Sequence, residues 1–182
     1  QKYTRGVVGI RAGSATYPGA GLLSVAGAAC GLVGMVRYVG DESVLDAVRA
    51  AHPEVVGEGR VQAWVVGSGS GDGVAETLSA ALADDVPTVE DADALQHAPR
   101  GRADAILTPH AGELSRMLDV ERAAIEAQPL VHARQAAEEY GAVVLLKGDA
   151  PSWSTPTVGC AWVPPVRRGS PPRPPSPPAQ PT

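Results

Sequence analysis

Phenylalanine is absent from this 182-residue chain, and aromatic residues supply only 4% of it. Apolar residues still make up 44%, so a core has to be assembled from Ala, Val and Leu, with Gly allowing close packing. Cysteine is almost missing as well. Cys30 and Cys160 stand far apart and outside any CxxC or His-spaced set, which argues against a disulfide framework or a metal site. Cys30 lies in a run of small apolar residues and is expected to be a buried hydrophobe. No stretch of eighteen strongly apolar residues occurs, and no basic-then-apolar leader opens the chain. The segment "GAGLLSVAGAACGLVGM" is too rich in Gly and Ala to prefer lipid over a protein core. No membrane partner is therefore expected, and a cytoplasmic location follows by default. The net charge of −5 gives no reason to expect nucleic acid as a partner. Gln1 is not a natural start, so the chain reads as a fragment or a processed product.

Acid is missing from one region only. Residues 151–182 contain no Asp or Glu, three Arg and eleven of the seventeen prolines. That composition divides the chain into a folded part, 1–149, and a Pro-rich tail, 150–182. "PPVRRGSPPRPPSPPAQPT" cannot bury a core and is expected to be extended and disordered, with a Pro-rich ligand role as the lesser alternative.

Within 1–149, strand-like and helix-like stretches alternate. "RGVVGIRAG", "VRYVG", "VQAWVVG", "PTVEDADAL", "AILT" and "AVVLLKG" read as strands. Residues 19–35, 42–51 and 74–82, with stretches around 114–118 and 121–140, read as helices. This alternation predicts a mostly parallel sheet covered by helices. Ligands on such sheets bind beyond the carboxyl ends of the strands, which directs attention to the residues that follow each one.

Five strand-end clusters stand out: "RAGSATYPGAG", "VVGSGSG", "VEDADAL", "LTPHAGEL" and "LLKGD". Gly67, Gly69 and Gly71 permit close approach of a phosphate or nucleotide, or form an ordinary loop. Asp91 and Asp93 read equally well as caps of the next helix. Pro109 forces Thr108 to be extended and ends its strand, so His110 projects from the rim; Glu113 suits a helix start and can reach back as a cap partner. Lys147 is the only lysine besides Lys2, and its place after a buried strand favours a phosphate partner over a core role.

In combination, "LTPHAGELSRML", upstream "VVGSGSG" and "DADAL", downstream "VVLLKG" and the opening "KYTRGVVGIRAGSATYPGAGLL" resemble the ADP- or ATP-dependent NAD(P)H-hydrate dehydratases. The resemblance covers roughly residues 2–149. It implies a ribokinase-like three-layer α/β sandwich with its C-terminal part missing. It also implies ADP (or ATP) with Mg²⁺, NADH-hydrate and NADPH-hydrate as substrates, a homo-oligomer, and a fused or separate NAD(P)HX epimerase. By the same resemblance, Ala20, Gly69, Gly71 and His110 line the hydrate pocket, while Lys147, Gly148 and Asp149 begin the nucleotide-phosphate loop.

The chain departs from the family pattern after Asp149. The loop threonine is not convincingly supplied, and the later glycine-rich Gly-Asp motif, whose aspartate is the family's catalytic base, is absent. No catalytic residue and no protein metal ligand is therefore assigned, and impaired activity is expected. Reading the tail's codons two bases later, with third bases free, allows a plausible family continuation, so a shifted frame accounts for the tail. A parallel sheet ending at "VVLL" is expected to leave an apolar edge open. The alternatives are another ribokinase-like kinase, of thiazole or pyrimidine type, and a non-catalytic nucleotide-binding remnant.

Overall fold

The computed structural model describes residues 2–148 together with 152–154 and 161–162. Among the described residues, eight strands form one sheet. They are β1 (Val7–Arg11), β2 (Met35–Tyr38), β3 (Ala63–Val66), β4 (Thr88–Glu90), β5 (Ala105–Leu107), β6 (Val143–Leu146), β7 (Ser152–Ser154) and β8 (Ala161–Trp162). Their order is β2-β1-β3-β4-β5-β6-β7-β8. The first six strands are parallel, as the β-α alternation requires; β7 pairs antiparallel with β6, and β8 pairs antiparallel with β7.

The helices are α1 (Pro18–Ala29), α2 (Glu42–Ala51), α3 (Val74–Leu82), α4 (Ala111–Leu118), α5 (Arg122–Ala127) and α6 (Pro129–Tyr140). Strand residues two apart share a face. Ile10, Val36 and Tyr38 face one way and join Val25 of α1 with Val44 and Val48 of α2. Val7, Trp64 and Val66 face the other way, against Val74 and Leu78 of α3. Further along that second face, Leu107, Val144 and Leu146 pack on Leu114, Ile125 and the alanine stripe of α6. The result is the expected three-layer arrangement, built from small side chains. Gly9 shows why: a Cβ there would lie 2.2 Å from the Trp64 ring, so the largest core aromatic rests on a bare backbone.

Several boundaries differ from the sequence reading. The first helix stops at Ala29 rather than running to 35, because Gly31 and Gly34 open the turn into β2. Cys30 consequently sits at the helix end and is exposed, not buried. The stretch around 121–140 is two helices; Pro129 forces Gln128 out of helical geometry and starts α6. "PTVEDADAL" is a strand only as far as Glu90, and Ala92–His97 is a 3₁₀ helix. Strand β6 is not an open edge, since β7 pairs with it at Val144, Leu145 and Leu146. Both β7 and β8 belong to the region read as a tail; its other residues, and Asp149, lie outside the described residues.

Candidate functional site

The carboxyl ends of β3, β4, β5 and β6 lie side by side, and the segments leaving them are joined through one carboxylate. Asp91 follows β4. Its Oδ2 accepts from Ser68 Oγ at 2.7 Å, in the glycine loop after β3. Its Oδ1 accepts from Thr108 Oγ1 at 2.8 Å, after β5, and from Lys147 Nζ, after β6. Asp91 stands at the N-cap position of the 3₁₀ helix that follows, but its side chain does not cap it, for it makes no bond to that helix. Burial pushes this carboxyl up. The Lys147 and Ser68 hydrogen bonds, the Lys147 charge and the Thr108 bond outweigh that effect and hold it below the usual range. Asp93 is not a cap either, for its Oδ2 accepts from the Gly71 backbone N–H at 3.1 Å.

The glycine loop needs its glycines. Gly67, Gly69 and Gly71 all have positive φ, at +113°, +65° and +65°. A Cβ on Gly67 would lie 2.1 Å from the Asp91 carbonyl oxygen, so the loop lies directly on the segment after β4. A Cβ on Gly69 would lie 2.6 Å from the Ala20 Cβ, which places Ala20, in the first turn of α1, against the same loop. Nothing approaches within 4 Å of the corresponding position on Gly71. Its N–H is taken by Asp93, but its Cα is open to a ligand.

His110 occupies the N-cap of α4. Its Nδ1 accepts from the N–H groups of Gly112, at 3.0 Å, and Glu113, at 3.1 Å. Glu113 Oε2 in turn accepts the His110 N–H at 2.7 Å, completing a reciprocal capping box. In the neutral ring this fixes the proton on Nε2, which lies 3.3 Å from Glu113 Oε1. The imidazole is 53% exposed, so it projects from the rim while serving as a cap. Lys147 donates its N–H to the Pro109 carbonyl at 2.7 Å and forms a bridge with His110. Its ammonium also lies 3.7 Å from Glu113 Oε2. Gly148 is exposed and unobstructed.

Ala20, Gly69 and Gly71 thus share one loop junction. The Asp91–Asp93 segment ties that junction to the turn carrying His110 and to Lys147. Sequence reasoning missed Ser68 and the keying role of Asp91. The visible signal was a short polar residue after each of three neighbouring strands, at positions 68, 91 and 108. A separate cavity of about 710 Å³ lies over β1 and β3, lined by Arg11, Trp64, Glu58 and Asp84. Apart from Arg11, at the end of β1, none of the strand-end residues lines it, and Ser68, Asp91, Thr108, His110 and Lys147 all lie outside it.

Among the described residues no group of three or more His, Cys, Asp or Glu could hold a metal ion. Asp91, Asp93 and Glu113 are each engaged by protein donors. No described helix is long and apolar enough to cross a membrane.

Comparison with known proteins agrees with this architecture. The family model of NAD(P)H-hydrate dehydratase matches residues 8–160, reaching past the composition break at 149. The bifunctional NAD(P)H-hydrate repair enzyme Nnr of Mycobacterium tuberculosis strain H37Rv is 44% identical over 164 residues, covering 81% of this chain and 33% of that protein. Among solved structures, the ADP/ATP-dependent NAD(P)H-hydrate dehydratase of Bacillus subtilis, co-crystallized with ATP/Mg²⁺, superposes with a TM-score of 0.82 at 27% identity. It covers 89% of this chain and 65% of that one. A ribokinase-like superfamily protein of Enterococcus faecalis matches in fold at a TM-score of 0.75 and 19% identity, covering 85% of this chain and 62% of that one. The chain thus spans about a third of the bifunctional relative's length. With a ribokinase-like sheet, its strand-end turns assembled at one rim and a family match over most of its length, the chain belongs to the NAD(P)H-hydrate dehydratase family.

Proposed function

We propose that this chain carries the substrate and nucleotide rim of an ADP-dependent (S)-NAD(P)H-hydrate dehydratase, which restores NAD(P)H from its hydrated form. The observation that carries the reading is the convergence of the glycine loop, the His110 turn and Lys147 on Asp91. Ala20, Gly69 and Gly71 form the wall that receives the hydrate. His110 presents Nε2–H to that ligand, with Nδ1 committed to the helix start. Lys147 and Gly148 open the nucleotide-phosphate loop, and Asp149 continues it. Lys147 supplies the cation there, and Gly148 leaves the backbone accessible.

ADP (or ATP) brings the phosphoryl group for the hydrate hydroxyl, and Mg²⁺ on its phosphates would neutralise charge as that group moves. The chain's own residues orient the two ligands and hold donors toward the phosphates. A cytoplasmic setting, a homo-oligomer and an epimerase partner, fused or separate, belong to the same reading.

Thermal-shift titration with NADPH-hydrate and with ADP tests it, alongside ADP-driven recovery of the reduced-nicotinamide absorbance. The expected result is stabilisation by both ligands, with recovery of absorbance as the measure of turnover. Absence of a shift with either ligand would refute the reading.

A further inference from the structure

We infer that Asp91 is a positioning residue for the nucleotide phosphates: it holds the Lys147 ammonium at the centre of the rim and ties that cation to the glycine loop and the His110 turn. This rests on the proposed nucleotide site. Nothing in the sequence motifs assigns such a role to Asp91.

The geometry is specific. A lysine side chain has four rotatable bonds and a strongly hydrated head, so an unrestrained one would be a poor fixed point for a phosphate. Lys147 is the only described lysine at this rim, and Asp91 and Glu113 are the carboxylates beside its ammonium. Asp91 is itself held. Its two oxygens accept from hydroxyls on either side, Ser68 at 2.7 Å and Thr108 at 2.8 Å, so it cannot follow the lysine outward. Its side chain is only 24% exposed, which limits competition from water. A phosphate bound at the loop then meets a cation already in place, with three donor hydrogens of which Asp91 occupies one.

The inference makes a prediction whose sign separates it from plain electrostatics. Asp91→Ala removes a negative charge from an anion site, and charge alone would tighten phosphate binding. Positioning predicts the reverse: a loss of ADP and pyrophosphate affinity on the order of tenfold. Ser68→Ala and Thr108→Val leave the charge but loosen the carboxylate, and should weaken binding in the same direction by a smaller factor. Asp72→Asn, an exposed acid in the same loop, serves as the charge control and should leave binding equal or tighter.

The second readout needs no nucleotide. The chain has two lysines, so ¹⁵N-lysine labelling gives two ammonium signals, assigned by Lys147→Arg. The Lys147 ammonium should exchange its protons faster in Asp91→Ala, with a smaller increase in Ser68→Ala, which also covers the case of a poorly folding Asp91 variant. If the unaltered chain binds neither ADP nor pyrophosphate, the nucleotide site itself is wrong and the inference falls with it. If it binds both, but Asp91→Ala binds equally or tighter, or Lys147 exchange is unchanged, only the positioning role is overturned.

Discussion

His110 and Glu113 cap each other: the imidazole Nδ1 accepts the Glu113 N–H, and the Glu113 carboxylate accepts the His110 N–H. The histidine proposed to face the hydrate is thus also a structural one, and the two roles can be separated. His110→Ala removes the cap and should cost about 1 kcal/mol of stability. His110→Asn supplies a strong N-cap and should keep stability near that of the unaltered chain, yet lose the thermal shift with NADPH-hydrate. A His110→Asn chain that still responds fully to the hydrate would show the ring to be a cap alone.

Gly69 and Gly71 share a φ of +65° but differ in surroundings. Gly69→Ala combines left-handed strain, about 1–2 kcal/mol, with a methyl driven against the Ala20 Cβ, which has no flexible end to yield. Gly71→Ala meets open space and should show the conformational cost only. Urea denaturation should therefore rank Gly69→Ala clearly below Gly71→Ala. The second variant should still lose hydrate affinity, because its methyl occupies the open approach. Equal destabilisation by the two would mean that the loop does not rest on α1.

Glu90 and Asp91 are adjacent and titrate in opposite senses. Burial raises the Glu90 carboxyl; the Thr88 hydrogen bond and the charge of Arg102 only partly offset this, and Asp104 reinforces it. Oε1 accepts from Thr88 at 2.8 Å, while Oε2 is buried without a partner among the described residues. The folded chain therefore keeps this proton to higher pH than the unfolded chain does. Stability falls as pH rises between the ordinary glutamate value and the raised one. Glu90→Gln preserves the Thr88 bond and abolishes that titration. Its melting temperature should exceed that of the parent by a few degrees at neutral to alkaline pH, and match it below the ordinary glutamate range. A difference independent of pH would sink this account. Asp91 has the reverse sign: its contribution is present above the unfolded-state value and is lost as pH falls through its depressed one.

The parallel sheet was legible because hydrophobic runs such as "AWVV" and "VVLL" are bounded by glycine and separated by amphipathic segments. The His110–Glu113 turn was legible too, since Pro109 ends a strand and an acid three residues past an N-cap is a local signature. What escaped was non-local. Asp91 reads as a helix cap in a one-dimensional pattern, and only strand order places Ser68, Thr108 and Lys147 around it. Cys30 was misread for a related reason: an apolar run does not say which of its residues lie past the helix end. Native-state thiol labelling should modify Cys30 rapidly, and protection until unfolding would contradict its exposed position.

The two faces of β5 offer a final contrast within one strand. Leu107 is 1% exposed and sits in the cluster with Leu114, Ile125 and Val144. Ile106, one residue earlier, points to the opposite face and is only partly buried, as are Val89, Val143 and Leu145 on neighbouring strands. The cluster under helices α1 and α2 takes in β1, β2 and Val65 of β3, and Ile106 does not belong to it. Leu107→Ala removes fully buried methyl groups and leaves a cavity, so it should cost about 2–5 kcal/mol. Ile106→Ala gives up less buried area and leaves no enclosed void, so its cost should be no more than about half of that. Urea midpoints of the two variants decide the matter. Equal losses would mean that the Ile106 face is packed as tightly as the Leu107 face, and that something beyond α1 and α2 covers it.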